Sequence, residues 1–419
     1  MRVSISRTLS KMAHSIASGA KPCKVGDKIQ DIYTPALVVD LDGLYKNLEL
    51  MKTSMQKFGR VNLRPHGKAH KCPEIAKLQV AHGAVGICCQ TLTEAESMVA
   101  GGIKNILVSN QVIGLPKLLR LAALARDADI SVCVDDEDNL RTVSQAAENC
   151  DVKLGVVVEV NVGQDRCGVE PGKAAVSLAQ VAQKLSGVEF RGIQCYNGLN
   201  QHIREAGDRK NAVALVVTKT EDTLKHFKAG GIECPLVTGG GTGTYTYEAA
   251  SSIFNEVQPG SYVFMDADYG RDHGSPVHDY LHTLFVLSTV QSVTSGKRVV
   301  VDAGMKAVSL DSGEPLVKSC PDVTYTCGGD EHGILHPPGN WKIEKEVDTV
   351  WPLGDRRGVA GGRLGVARAG TLRPHRQPLR LAGRCPWRQR RSRVANHGTR
   401  TWHLKFSESA SDRSVKYDK

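Results

Sequence analysis

The chain has 419 residues, 41% of them hydrophobic and 23% charged, an ordinary composition for a globular protein with room for two or three domains. Its formal charge of +10 belongs to one stretch: residues 356–407 hold thirteen arginines, one lysine and no acid, while residues 1–355 carry 37 basic and 41 acidic side chains. A nucleic-acid function for the main body therefore loses its support, and no apolar run approaches the length of a membrane helix. At the start, residues 1–26 contain Arg2, Arg7, Lys11, Lys21, Lys24 and several serines but no acid. That is the composition of an organellar transit peptide or of an unstructured leader, so the expected compartment is cytoplasmic or mitochondrial. Twelve scattered cysteines without a CxxC pair suggest reduced thiols.

Extended runs are predicted at 61–68, 84–90, 105–109, 131–135, 154–162, 189–196, 235–238 and 262–266. Between them, 116–126, 137–148, 172–184 and 212–229 have helical spacing. Eight strands alternating with helices match a (β/α)₈ TIM barrel over residues 30–269 better than an open doubly wound sheet, although strand order cannot be read from such a pattern. The arginine-rich tail 356–419 is expected to be disordered.

A barrel places its chemistry just after the strands, at the C-terminal face. The first strand ends in Leu63-Arg64-Pro65-His66-Gly67-Lys68-Ala69-His70-Lys71. Neighbouring positive charge lowers the pKa of a lysine, which Lys68 requires to react as a free amine with a carbonyl group. His66, two residues before it, is the second candidate catalytic group. The seventh strand runs into Thr238-Gly239-Gly240-Gly241-Thr242, whose bare N–H groups and hydroxyls suit a phosphate; by itself such a run is more often a loose turn, and its place after the seventh strand of a chain with a lysine after the first reverses that reading. Arg166, at the end of the fifth strand, is placed either to hydrogen-bond a cofactor ring or to pair with Asp165 at the rim. A lysine and a phosphate cradle on one face of a barrel suggest pyridoxal 5′-phosphate.

The stretches Thr34–Asp40, Arg64–Lys71, Thr93–Glu96, Val160–Val169, Gly192–Gly198, Val237–Tyr245, Gln258–Tyr269, Asp302–Ala307 and Asp330–Gly333 resemble, in order, the fold-type III, alanine racemase-like pyridoxal-phosphate enzymes. Within that family they are similar to the group of D-threonine aldolases and D-serine dehydratases, and the TGGGTGTY loop is more like the aldolases. The resemblance implies that Lys68 carries the cofactor, that Gly240, Gly241 and Thr242 with Thr238 hold its phosphate, and that Arg166 and Tyr196 line it. It also implies a second, β-rich domain over 270–355, joined by the N-terminal segment 27–35, and a homodimer acting on a small D-amino acid. The implied reaction is retro-aldol cleavage of D-threonine and related D-β-hydroxy-amino acids to glycine and an aldehyde. The alternatives are a D-serine or 3-hydroxyaspartate dehydratase and a non-catalytic pyridoxal-phosphate-binding protein. Asn197 stands where a histidine is expected.

The resemblance also implies a divalent metal such as manganese or zinc, held by a His-Cys-Asp segment near the C-terminus. That segment is absent: after Asp355 the chain turns into the arginine-rich run. Joining the last two bases of each codon to the first base of the next allows Val366–Pro374 to be recoded as WLVPGHCD, and the residues after it as PTVNLYDW. The tail therefore reads either as a disordered basic extension or as the family's metal segment translated out of frame. As written, the chain has no metal ligands there, and impaired activity is expected.

Overall fold

The computed structural model describes residues 23–274, 276–294, 297–318, 320–338 and 350–351. All belong to one compact unit, Met1–Ala382; a second unit, Gly383–Lys419, lies outside the described residues, as do the basic leader before Cys23 and the whole arginine-rich tail.

Strand β1 (Ala36–Val39) leads directly into helix α1 (Leu41–Gln56), which starts where Asp40 Oδ1 accepts the Gly43 N–H at 3.2 Å. The barrel then runs β2 (Asn62–Leu63), α2 (Pro73–Ala81), β3 (Ile87–Cys89), α3 (Leu92–Ala100), β4 (Asn105–Gln111), α4 (Leu115–Leu124), β5 (Asp129–Val134), α5 (Glu137–Asn149) and β6 (Leu154–Glu159). It continues through α6 (Lys173–Lys184), β7 (Val188–Cys195), α7 (Ala206–Ala229), β8 (Leu236–Gly239), α8 (Tyr245–Ala250) and β9 (Glu256–Val257). Side-chain caps mark two of the helix starts: Thr91 accepts from the Glu94 N–H at 3.3 Å and Asp136 from the Asn139 N–H at 2.8 Å. The strands bury both faces, as in the run LGVVVE of β6, because helices cover the outside and side chains fill the middle.

All eight barrel strands are parallel, in the order β2-β9-β8-β7-β6-β5-β4-β3. The ring closes between β2 and β3 through Val85 N–H to Leu63 C=O at 2.9 Å, Cys88 N–H to Pro65 C=O at 2.8 Å, and a bridge from His66 to Cys88. Closure decides between the two architectures the sequence left open. One expected strand is corrected: the eighth is Glu256–Val257, and residues 262–266 form no strand. Pro259 and Gly260 end the extension, Ser261–Val263 form a short 3-10 turn, and Tyr262, Val263, Phe264 and Met265 pack in the cluster built on α1. Gly192, inside β7, has φ +146°, and a Cβ there would lie 2.0 Å from the Leu236 carbonyl oxygen, so close pairing with β8 demands glycine.

Two further layers complete the unit. Leu44, Leu48 and Met51 of α1 pack with Tyr245, Tyr262, Val263 and Tyr280 beside the barrel. The second domain is an antiparallel sheet formed by β10 (Leu284–Thr294), β11 (Arg298–Val301), β12 (Thr324–Cys327), β13 (Gly333–His336) and β14 (Val350–Trp351). The order is β1-β10-β11-β13-β12, with β14 pairing beside Ser288 and Thr289 of β10. The chain's first strand thus belongs to the sheet that its last part builds.

Inside the barrel floor, Arg64 Nε donates to Glu256 Oε2 at 2.9 Å, with Asn105 taking a second guanidinium nitrogen and Thr238 donating to Glu256 Oε1 at 2.9 Å. Both charges are nearly removed from water. Replacing Arg64 by leucine strands the Glu256 carboxylate; we expect a loss of about 3–5 kcal/mol in urea-unfolding stability. A loss under about 1 kcal/mol would show that the pair is not what holds β2 to β9.

Candidate active site

The C-terminal ends of the strands open into a cavity of about 390 Å³. Lys68 reaches it because the segment after β2 stays extended through Pro65 and then turns at Gly67–Ala69. His66 fixes that turn: its Nδ1 accepts the Lys68 N–H at 3.3 Å and its Nε2 lies 3.1 Å from Ser109 Oγ. With Nδ1 as acceptor, the ring is neutral and its proton sits on Nε2, toward Ser109. Burial, followed by the charge of Lys68, holds the His66 imidazole well below its ordinary range.

Lys68 is itself held below the usual lysine range, first by burial and second by Arg166. The cause differs from the sequence expectation. Of the flanking cations, Arg64 is committed to Glu256, Lys71 pairs with Glu94 at 3.5 Å, and His70 is tied to Gln79 and the Cys72 N–H. The charge that matters arrives from the fifth barrel strand.

Arg166 does not pair with Asp165, whose carboxylate is taken by Asn161 Nδ2 at 2.9 Å. It lies 3.9 Å from Glu159 and 5.9 Å from the centre of the Tyr196 ring, and both Arg166 and Tyr196 line the cavity. Burial raises Glu159, offset by hydrogen bonds from Gln111 and Gln194 and by the Arg166 charge.

Across from Lys68, Gly241 and Thr242 form the wall. Thr238 and Gly240 do not line the cavity: Thr238 is turned to Glu256, and Gly240 makes the turn, with φ +70° and the Glu248 carboxyl 3.1 Å from where a Cβ would stand. Behind the loop, Thr244 Oγ1 accepts the Gly241 N–H at 3.2 Å and donates to Glu248 Oε1 at 2.8 Å. Gln201 bonds Thr244 Oγ1 at 2.9 Å and accepts the Gly243 N–H at 2.9 Å. Thr242 Oγ1 is buried without a hydrogen-bond partner. A phosphate oxygen would satisfy it, and a depressed lysine faces the same space, so these residues fit pyridoxal phosphate. The metal is different: among the described residues no group of three or more His, Cys, Asp or Glu gathers as a cation site.

Sequence reasoning missed Ser109, Gln201, Tyr269 and, above all, His202. Asn197 is a turn cap, its Oδ1 accepting the Leu199 N–H at 3.0 Å. A histidine does stand at the end of that turn: His202 lines the cavity, with Nδ1 2.9 Å from Asp268 Oδ2. Its signal was available, a histidine just after the sixth barrel strand; the partner Asp268, 66 residues away, carried none.

The alanine racemase N-terminal domain profile matches residues 39–268, more than half of the chain. The chain belongs to the alanine racemase-like, fold-type III pyridoxal-phosphate enzymes. Within that family, a putative serine dehydratase domain profile matches residues 283–359. A D-threonine aldolase from Arthrobacter sp is 44% identical over 314 residues, 75% of this chain and 83% of that protein. A 3-hydroxy-D-aspartate aldolase from Paracoccus denitrificans (strain Pd 1222) is 38% identical over 368 residues, 80% of this chain and 95% of the relative. The crystal structure of D-threonine aldolase from Filomicrobium marinum superposes with a TM-score of 0.77 at 42% identity, covering 80% of this chain and 90% of that one.

The loop also predicts a pH effect. Burial pushes Glu248 up to about 7 from an ordinary 4.5, against the pull of its Thr244 hydrogen bond. A carboxyl raised in the fold contributes stability below the unfolded value and loses it as pH rises through the folded one. Glu248→Gln should therefore match the parent near pH 4 and exceed it by about 3 kcal/mol at pH 8 in urea titrations. Parallel pH profiles for the two proteins would contradict the assignment.

Proposed function

We propose that this chain is a pyridoxal-phosphate-dependent lyase that cleaves D-threonine and related D-β-hydroxy-amino acids into glycine and an aldehyde. The observation that carries the reading is that Lys68, with its depressed amine, and His202, oriented by Asp268, line one cavity. When bound, pyridoxal phosphate supplies an electron-withdrawing ring that accepts the electron pair released as Cα–Cβ breaks. Lys68 would hold the cofactor through its amine. Gly241 and Thr242 would hold its phosphate, and Arg166 and Tyr196, which line the same cavity, would hold its ring. His66 keeps the Lys68 turn in place and stays neutral.

His202 supplies the base. With its Nδ1–H directed to Asp268, a lone pair remains at Nε2 to take the β-hydroxyl proton. Cleavage needs that proton removed, whereas dehydration needs the hydroxyl to leave protonated, so an acceptor at this point favours aldolase chemistry. Both closely similar relatives are aldolases by name. The dehydratase reading is kept as the alternative because a serine dehydratase profile covers the second domain.

Incubating the cofactor-loaded chain with D-threonine should give glycine and acetaldehyde in equal amounts, and Lys68→Ala should give neither. Ammonia with a keto acid would transfer the protein to the dehydratases. No turnover of any D-β-hydroxy-amino acid by a stably loaded protein would leave only a cofactor-binding role.

The metal segment bears on the rate. The second profile ends at residue 359, close to where the arginine-rich run begins at Arg356. We take the tail as an out-of-frame copy of the family segment. Sequencing the coding DNA for residues 340–419 should show that one insertion or deletion restores WLVPGHCD, and the restored protein should turn over faster than the chain as written. DNA with no such segment in the shifted frame would rule the frameshift out.

A further inference from the structure

The base reading of His202 leaves unexplained why a surface histidine, 59% exposed, should hold one orientation. Among the described residues the hydrogen-bond partner of its ring is Asp268, so what fixes Asp268 fixes the ring. Asp268 Oδ1 accepts from Arg204 Nη2, and Arg204 Nη1 donates to the Asp268 carbonyl at 2.8 Å and to Asp272 Oδ1 at 2.7 Å. Asp272 is fully buried. Behind it Arg209, also fully buried, clamps the backbone at both ends of this device, donating to the carbonyls of Ile203 and Arg204 and, at 3.0 Å, to that of His273. The His273 N–H returns to the Arg204 carbonyl at 2.8 Å. Two loops, one after the sixth barrel strand and one after the eighth, are thus stitched together by a row of alternating charges that begins in the core and ends at the cavity.

We propose that Arg204 is a positioning residue for the reaction: its guanidinium bridges Asp268 to the buried Asp272 and so holds the Asp268 carboxylate where it fixes the orientation and the tautomer of His202. The inference rests on the reading of His202 as the base. Three features of the geometry support it. The bridge is two-sided, which only a guanidinium with donors in a fixed fork can supply. It is anchored on groups withdrawn from solvent, so it is not a loose surface pair. It joins the loop of His202 to the loop that carries Tyr269, and both of these residues line the cavity. The ionisation of Asp268 agrees: burial would raise it, but the hydrogen bonds from Arg204 and His202 outweigh burial and hold it below the usual range.

The test is heteronuclear NMR of histidine-labelled holoenzyme, which reads the imidazole tautomer directly, beside steady-state kinetics. His202→Asn assigns the signal by its disappearance. In the parent the proton should sit on Nδ1. In Arg204→Met we expect a mixture of both tautomers and kcat for D-threonine down about tenfold with KM within about twofold, since orientation and not substrate binding is lost. Arg204→Lys, which keeps the charge but cannot bridge both carboxylates, should fall between. If Arg204→Met does not fold, Arg204→Gln removes the bridge with less change of shape and is read the same way. An unchanged Nδ1–H signal and unchanged kcat in the Met or Gln variant would overturn the proposal. If His202→Asn itself keeps parental turnover, the base reading has failed first; if it is inactive while Arg204→Met behaves as the parent, only this inference has failed.

Discussion

The Arg64–Glu256 pair ties the first barrel strand to the last, and what stands at the mouth is placed by that pairing. β2 is two residues long and β9 is two residues long, too little ladder to secure a seam by themselves. The ion pair, with Asn105 and Thr238 taking the remaining polar valences, adds a bond that leaves no lone charge in the core. Four residues beyond Arg64 along the chain, Lys68 enters the cavity; from the strand bonded through Thr238 comes the glycine loop. The seam and the site are two ends of the same strands.

At the mouth, side chains that line the cavity are held in turn by hydrogen-bonding neighbours. Lys68 is set by His66, and His66 by Ser109. Gly241 and Gly243 are set by Thr244 and Gln201, and Thr244 by Glu248. His202 is set by Asp268, and Asp268 by Arg204. Such support fixes geometry at the reacting atoms before a ligand arrives, which is where an enzyme gains most from a folded scaffold. Thr242 Oγ1, a buried polar atom of the wall without a hydrogen-bond partner, is placed for a phosphate oxygen to complete.

Much of this was legible in the chain. The alternation of β-rich and helical runs is a local property, and hydrophobic period carries it, so seven of the eight barrel strands fell where expected. The eighth did not, because residues 262–266 are apolar for packing against α1 while Glu256 and Val257 make too short a run to stand out. Lys68, Arg166, Tyr196, Gly241 and Thr242 meet in one cavity because strand ends in a barrel share a face. Thr238 and Gly240 belong to the same loop but turn away from it.

What the sequence by itself determined is the order of elements and the loops that carry chemistry, since helix and strand periods, caps and glycine turns are written within a few neighbouring residues. Only the tertiary structure decided which charges meet. Arg64 leaves its neighbour Lys68 for a carboxylate 192 positions away, and His202 finds Asp268 across 66 residues. A buried charge or an exposed ring takes whichever partner the closed barrel brings within hydrogen-bonding distance, and that proximity depends on strand order and register, which no local pattern encodes.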